Sequence, residues 1–234
     1  MGMEHPRPLR KGLTSVPTTP EGLLRAGPPR LAALSDGVFA VAMTLLVLDL
    51  RVPDLPPNHA ATALAHSLLA LWPHYLTYAL SFVVVGAFWM GHHQTLLLLR
   101  RIDRGFVWLN LLFLLCISAV PFVTAVYGRY GGEPVAAAVY AGFLLVTQLI
   151  QIALLVDATR HRRLVGEDLD PVWLADRMEG QLLVAAVFAV SFVVAWLSPL
   201  AALLTLSLVW VINALGRPIR LLRPHRRPRQ PTPG

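Results

Sequence analysis

The sequence predicts an all-α integral membrane protein with six transmembrane helices, and three observations predict it. The composition is 56% hydrophobic and only 14% charged over 234 residues, with mean hydropathy +0.59, a balance rare in soluble domains. Apolar runs of about twenty residues, long enough to cross a bilayer as a helix, recur along the chain. Between them lie short clusters of arginine whose placement alternates from one loop to the next.

The elements follow in order. Residues 1–29 are rich in Pro and Gly, carry basic residues and hold no long apolar run, so they read as a flexible arm and not as a signal peptide. The first span is expected at 31–50, closed by Arg51, Pro53, Asp54, Pro56 and Pro57. A mildly apolar segment at 60–72 reads as an interfacial helix or an extended helix start. The second span, 73–99, opens on Pro73 and closes on Arg100, Arg101, Asp103 and Arg104. The third, 106–127, ends at Gly128, Gly131 and Gly132, and the fourth covers 134–156. A charged loop from Asp157 to Arg177 precedes the fifth span at 180–197. Ser198 and Pro199 form a tight turn into the sixth, 200–216. The domain plan is thus an arm (1–29), a six-helix domain (30–217) and a basic, Pro-rich disordered tail (218–234).

Charge gives the orientation. Of the 20 Lys and Arg, all but Arg51 and Arg129 fall on the N-terminal side of span 1, in the 100–104 and 157–177 loops, or in the tail. With six spans these share one side, so both termini are expected in the cytosol. The net charge of +7 lies in short clusters between apolar runs, the pattern of membrane topology and not of nucleic-acid binding. The single cysteine, Cys116, excludes an intrachain disulfide and a Cys-based metal site, and reads as a packing residue. The second half contains no counterpart of the Ser35-Asp36-Gly37 run, so no internal repeat is visible.

Between Arg30 and Asp49, Asp36 is the one ionised residue, and a carboxylate there costs a few kcal/mol or more. At 1.5 Å of rise per residue, Asp36 lies roughly 9 Å inside Arg30. His93 lies roughly 10 Å inside Arg100 on the antiparallel second span, and Asn110 roughly 9 Å inside Arg104 on the third. Ser35, Asp36, His92 or His93 and Asn110 therefore fall at one depth on three sequential helices. Low dielectric requires partners for such groups, and a cluster of Arg30, Asp36, a histidine and Asn110 would satisfy them together. His92 and His93 point about 100° apart on a helix, so they do not chelate one metal ion, and no metal or cofactor is expected.

The opposite side of the first span is plain. Asp36 shares a face with Ala40, Met43 and Val47, whereas Leu34, Val41, Leu45 and Leu48 form a separate apolar stripe with Gly37 and Thr44 at its margins. Such a stripe serves lipid contact or helix packing in most spans. It can also line a pore with hydrophobic constrictions, and one helix closes such a ring only in a symmetric oligomer.

The run Arg30-x-x-x-Leu34-Ser35-Asp36-Gly37-Val38-Phe39-Ala40, continuing through Val41-Ala42-Met43-Thr44-Leu45-Leu46-Val47-Leu48, resembles the Arg-x-x-x-Phe-Ser-Asp signature of the bacterial relatives of transmembrane protein 175, the lysosomal potassium channel. Trp89-x-x-His92-His93 and Leu109-Asn110 add to the likeness, which covers roughly residues 28–217. One departure is Leu34 where the family has Phe, which keeps an apolar side chain and loses an aromatic contact. The resemblance implies a potassium-selective channel without a Thr-Val-Gly-Tyr-Gly loop, and this sequence has no such loop. It implies a homotetramer of six-helix subunits in the lipid bilayer, with the first helix lining the pore. By motif position the constrictions fall on Val41, Thr44 or Leu45, and Leu48. Arg30, Ser35, Asp36 and His92 or His93 then form the interhelical network that shapes the pore helix. The expected partners are potassium ions, lipid and further copies of the chain, with no nucleic acid. The arginine bias and high Ala, Leu and Pro content point to a GC-rich bacterial source, hence a multi-pass protein of the cytoplasmic (inner) membrane.

The competing reading is a proton- or ion-coupled transporter using Asp36 and His92/His93. Coupled transporters favour helices broken near mid-membrane. The first span has only Gly37 and no internal Pro, and Pro121 in the third span is the one interruption. A non-transporting scaffold is a third class. No nucleophile–base pair or metal motif suggests an enzyme.

Overall fold

The computed structural model describes residues 27–51, 60–160, 164–165 and 170–209. Most of the expected N-terminal arm and all of the expected tail lie outside the described residues. Every regular element among those described is helical, apart from one isolated antiparallel bridge between Leu99 and Val165.

Helix α1 (Gly27–Leu45) begins on Pro28 and Pro29, whose missing N–H groups cost nothing in a first turn. It tightens into a 3-10 turn at Leu46–Asp49. Helix α2 (Ala60–Ala70) fills the mildly apolar segment. Helix α3 (Trp72–Leu97) carries Pro73 in its first turn. Helix α4 (Arg104–Tyr130) starts where the Asp103 carboxylate accepts the Phe106 N–H at 2.8 Å, and it runs on through Pro121. Helix α5 covers Pro134–Arg160 and helix α6 covers Pro171–Val194. A short apolar helix, α7, follows at Pro199–Val209.

Five helices among the described residues are long and apolar enough to cross a membrane, beginning with Pro28–Asp49. The expected sixth span at 200–216 coincides with α7 as far as Val209, and its remainder lies outside the described residues. The fifth span differs most from expectation. It starts at Pro171 instead of 180, because the Asp170 carboxylate caps the Val172 N–H at 2.9 Å and Pro171 is pre-set for a first helical turn. Arg177, expected in a loop, therefore lies inside α6.

Lipid tails are as apolar as leucine, so helix association in a bilayer rests on close packing and hydrogen bonds. Both are visible. Helix α1 packs against α3 and α4, α4 against α5, and α5 against α3 and α6. Phe39, Phe113, Phe88 and Phe188 form an aromatic chain through α1, α4, α3 and α6, with ring centroids 5.9 to 6.3 Å apart. Ala136, Ala137, Ala138 and Ala141 are all buried on α5, where small residues permit close approach. A buried knot ties α3, α4 and α5: Ser81 Oγ and Tyr140 Oη lie 2.7 Å apart, and Thr124 donates to Ser81 at 3.1 Å.

Candidate functional site

The first helix presents three faces. Leu31, Ser35, Phe39, Ala42 and Leu46 are buried, a helical stripe that packs inward. On a 100° wheel Asp36 lies about 100° to one side of that stripe, and Leu34, Val41, Leu45 and Leu48 lie about 110° to the other. The buried face therefore separates the carboxylate from the apolar stripe.

The buried face holds one polar group, Ser35, which is fully buried. Its hydroxyl donates to the Leu31 carbonyl at 2.9 Å and accepts the Asn110 amide from α4 at 3.4 Å. Asp36 is exposed at the edge of this face and accepts the Trp89 indole N–H from α3 at 2.8 Å. Trp89 stacks on His93 one turn away, with ring centroids 5.3 Å apart and planes at 23°. His92 takes the inward position, 1% exposed, with its ring 5.9 Å from Phe39 and 5.0 Å from Phe113. Neither His92 ring nitrogen nor Asn110 Oδ1 has a hydrogen-bond partner among the described residues.

The structure thus divides the expected cluster into two contacts. Ser35 meets Asn110, and Asp36 meets Trp89 with His93 stacked behind it. His92 lies against Phe39 and Phe113 instead of the carboxylate. Arg30 is exposed, and no ion pair joins it to Asp36 among the described residues.

The second face is open. Leu34, Val41, Leu45 and Leu48 are 49%, 57%, 41% and 70% exposed in the single chain. Leu34, Val41 and Leu45 line a groove of about 470 Å³ with Gly37, Val38 and Ser118 of α4. Thr44 is exposed beside them, but its hydroxyl donates to the Val41 carbonyl at 2.8 Å and so is satisfied within the helix. Among the described residues no three His, Cys, Asp or Glu side chains are grouped to hold a metal ion.

Sequence reasoning missed a further set of polar groups behind α3. Gln151 of α5 donates to the Phe88 carbonyl at 2.7 Å, and Arg177 of α6 donates to the Gly91 carbonyl at 2.6 Å. Gln148 of α5 donates to the Gln181 carbonyl at 3.1 Å and makes a second, short hydrogen bond to its side-chain oxygen. The signal was present. Gln148 and Gln151 stand three apart on one face of an apolar span, and the need for buried partners that applies to Asp36 applies to them.

Comparison with known proteins places this geometry in context. A family model described as "Endosomal/lysosomal potassium channel TMEM175" matches residues 30–121, the stretch that contains both α1 contacts. A potassium channel of Streptomyces collinus is 39% identical over 199 residues, covering 82% of this chain and 95% of that one. The human endosomal/lysosomal proton channel TMEM175 is 30% identical over 158 residues, covering 63% of this chain and 31% of its own length. The crystal structure of a lysosomal potassium-selective channel TMEM175 homolog from Chamaesiphon minutus superposes with a TM-score of 0.70 at 30% identity, covering 82% of this chain and 98% of that one.

Proposed function

The chain belongs to the TMEM175 channel family, and from that premise we propose that it forms a potassium-selective, passive cation channel whose pore is lined by the first helix of each of four identical subunits. The family is one of ion channels and not of enzymes, and the chain is a multi-pass membrane protein. The observation that carries the reading is the division of α1. One edge is held to α3 and α4 through Trp89–Asp36 and Asn110–Ser35, while Leu34, Val41, Leu45 and Leu48 stay uncovered. A helix anchored on its polar side and bare on its apolar side suits a pore whose narrow points are rings of hydrophobic side chains. Val41, Thr44 or Leu45, and Leu48 supply those rings, and potassium is the permeant ion. Ser35, Asp36 and Asn110, with His92 against Phe39 and His93 behind Trp89, set the position of α1. The subunits lie in the bacterial cytoplasmic membrane with both termini in the cytosol.

The alternative, a proton- or ion-coupled transporter acting through Asp36 and His92/His93, calls for a broken helix at mid-membrane. Helix α1 is continuous from Gly27 to Leu45, and Asp36 is paired with an indole that carries no titratable proton near neutral pH. Flux from proteoliposomes under a potassium gradient, with sodium compared, separates the two. A channel gives passive, potassium-preferring current that needs no proton gradient. Saturable uptake driven by protons would overturn the proposal.

A further inference from the structure

The turn of α3 that holds Asp36 through Trp89 is gripped from behind. Trp89 lies between Phe88 and Gly91, and the carbonyls of those two residues accept side chains from two other helices. Gln151 of α5 donates to Phe88 O at 2.7 Å, and Arg177 of α6 donates to Gly91 O at 2.6 Å. Thr95 adds a third bond, to Gly91 O at 3.2 Å. Gly91 is itself part of the fit. A Cβ there would come within 2.6 Å of Gln151 Nε2, so only glycine lets the amide cross this surface.

These carbonyls belong to mid-helix residues, since α3 runs on to Leu97. The bonds from Gln151 and Arg177 are therefore additional to the helix ladder and are not needed to complete a helix end. An arginine that spends a charged donor on an interior carbonyl fixes one helix against another. On the same turn, His92 packs against Phe39 of α1 and Phe113 of α4. Among the described residues helix α1 shares its side-chain hydrogen bonds and ring contacts with α3 and α4, so this turn is a hydrogen-bonded route from α6 to α1, beside the packing of α6 on α5 and α5 on α4.

We infer that Arg177, with Gln151, is a positioning residue for the pore helix: it sets the stance of the Phe88–Gly91 turn and, through Trp89 and Asp36, the open-to-closed balance of the pore. This rests on the reading that α1 lines that pore. Arg177 is placed to do so because it lies in the second turn of α6, next to the charged segment that precedes the helix.

The test is recording of single channels from the full chain in planar bilayers, with oligomer size checked in parallel. Arg177→Met, Gln151→Leu and Gly91→Ala are compared with the parent. The expected result is a shift of about tenfold in the open-to-closed ratio for Arg177→Met, the size that follows when a hydrogen bond from a charged donor forms in only one of the two states. Unitary current and oligomer size stay unchanged. Gly91→Ala and Gln151→Leu remove the same bond, so their double variant shifts the ratio no further than either alone. Arg177→Met combined with Trp89→Phe is likewise less than additive.

An unchanged open-to-closed ratio in assembled Arg177→Met overturns the inference. So does a change in unitary current with gating intact, which would place Arg177 beside the ions. Should Arg177→Met fail to assemble, the two uncharged variants decide, and normal gating in both overturns it. Failure of the pore reading shows separately, as Val41→Cys current that a charged thiol reagent leaves untouched.

Discussion

Trp89 and Asp36 meet where a carboxylate enters the apolar run of α1, and the strength of that contact follows from its exposure. A hydrogen bond to a charged acceptor contributes about 1.5–3 kcal/mol when buried, but Asp36 is open on one side. Trp89→Phe should therefore cost only about 1 kcal/mol of stability, read as a small drop in the thermal midpoint of the detergent-solubilised protein. Trp108→Phe, at an exposed position on α4, should leave that midpoint unchanged. Ser35 is the opposite case, since it is fully buried and its loss strands the Asn110 amide. Ser35→Ala should cost about 1–3 kcal/mol, more than Trp89→Phe although its bond is longer. Equal losses in the two variants would mean that burial does not rank them. Asp36→Ala should disturb assembly or gating before it disturbs ion preference, because the carboxylate faces Trp89 and not the stripe of Val41 and Leu45. Lost potassium preference in an intact oligomer would place Asp36 in the ion path.

Between elements, the sharpest test is the Gln148–Gln181 pair that joins α5 to α6. Gln148→Leu leaves the buried Gln181 amide without its partner, at about 1–3 kcal/mol, whereas Gln181→Leu leaves Gln148 its bond to the residue-181 carbonyl and should cost less. Replacing both removes the orphan, so the double variant should lose less than the two single losses together. A thermal double-mutant cycle in detergent reads the difference, and strict additivity would mean that the two amides act independently. The long helices themselves were legible in the sequence, because apolar runs bounded by Arg, Pro and Gly leave few alternatives in lipid. The start of α6 was not. Its first turns carry Asp176, Arg177 and Glu179, which read as loop until the Asp170 cap and Pro171 are seen to begin the helix there. Counting residues from the helix ends did bring Ser35 level with Asn110, and the two touch. The same count brought His93 level with Asp36, whereas the indole one turn earlier in α3 makes the bond. Rise per residue fixes depth along one helix. Tilt and rotation between helices decide which neighbour on that level is met, and those come from packing.

At the scale of the whole molecule, the proposed pore depends on assembly. Helix α1 has an apolar face that the described residues of its own subunit leave open. One copy of Val41 or Leu48 constricts nothing, but a closed ring of identical copies does. Symmetry then makes a geometric prediction that needs no functional recording. If α1 surrounds the axis, Leu48, 70% exposed, lies near its counterparts in neighbouring subunits, while Val193 on α6, 62% exposed, lies far from that axis. Cys116 is the one native thiol, so Cys116→Ser gives a clean background. In that background mild oxidation of Leu48→Cys should yield covalent subunit dimers on a denaturing gel, and Val193→Cys should stay monomeric. Mass measurement of the intact detergent complex should give four chains. Cross-linking through Val193→Cys alone would place α6 at the axis, turn α1 toward lipid, and remove the physical reason for assigning the constrictions to Val41, Leu45 and Leu48.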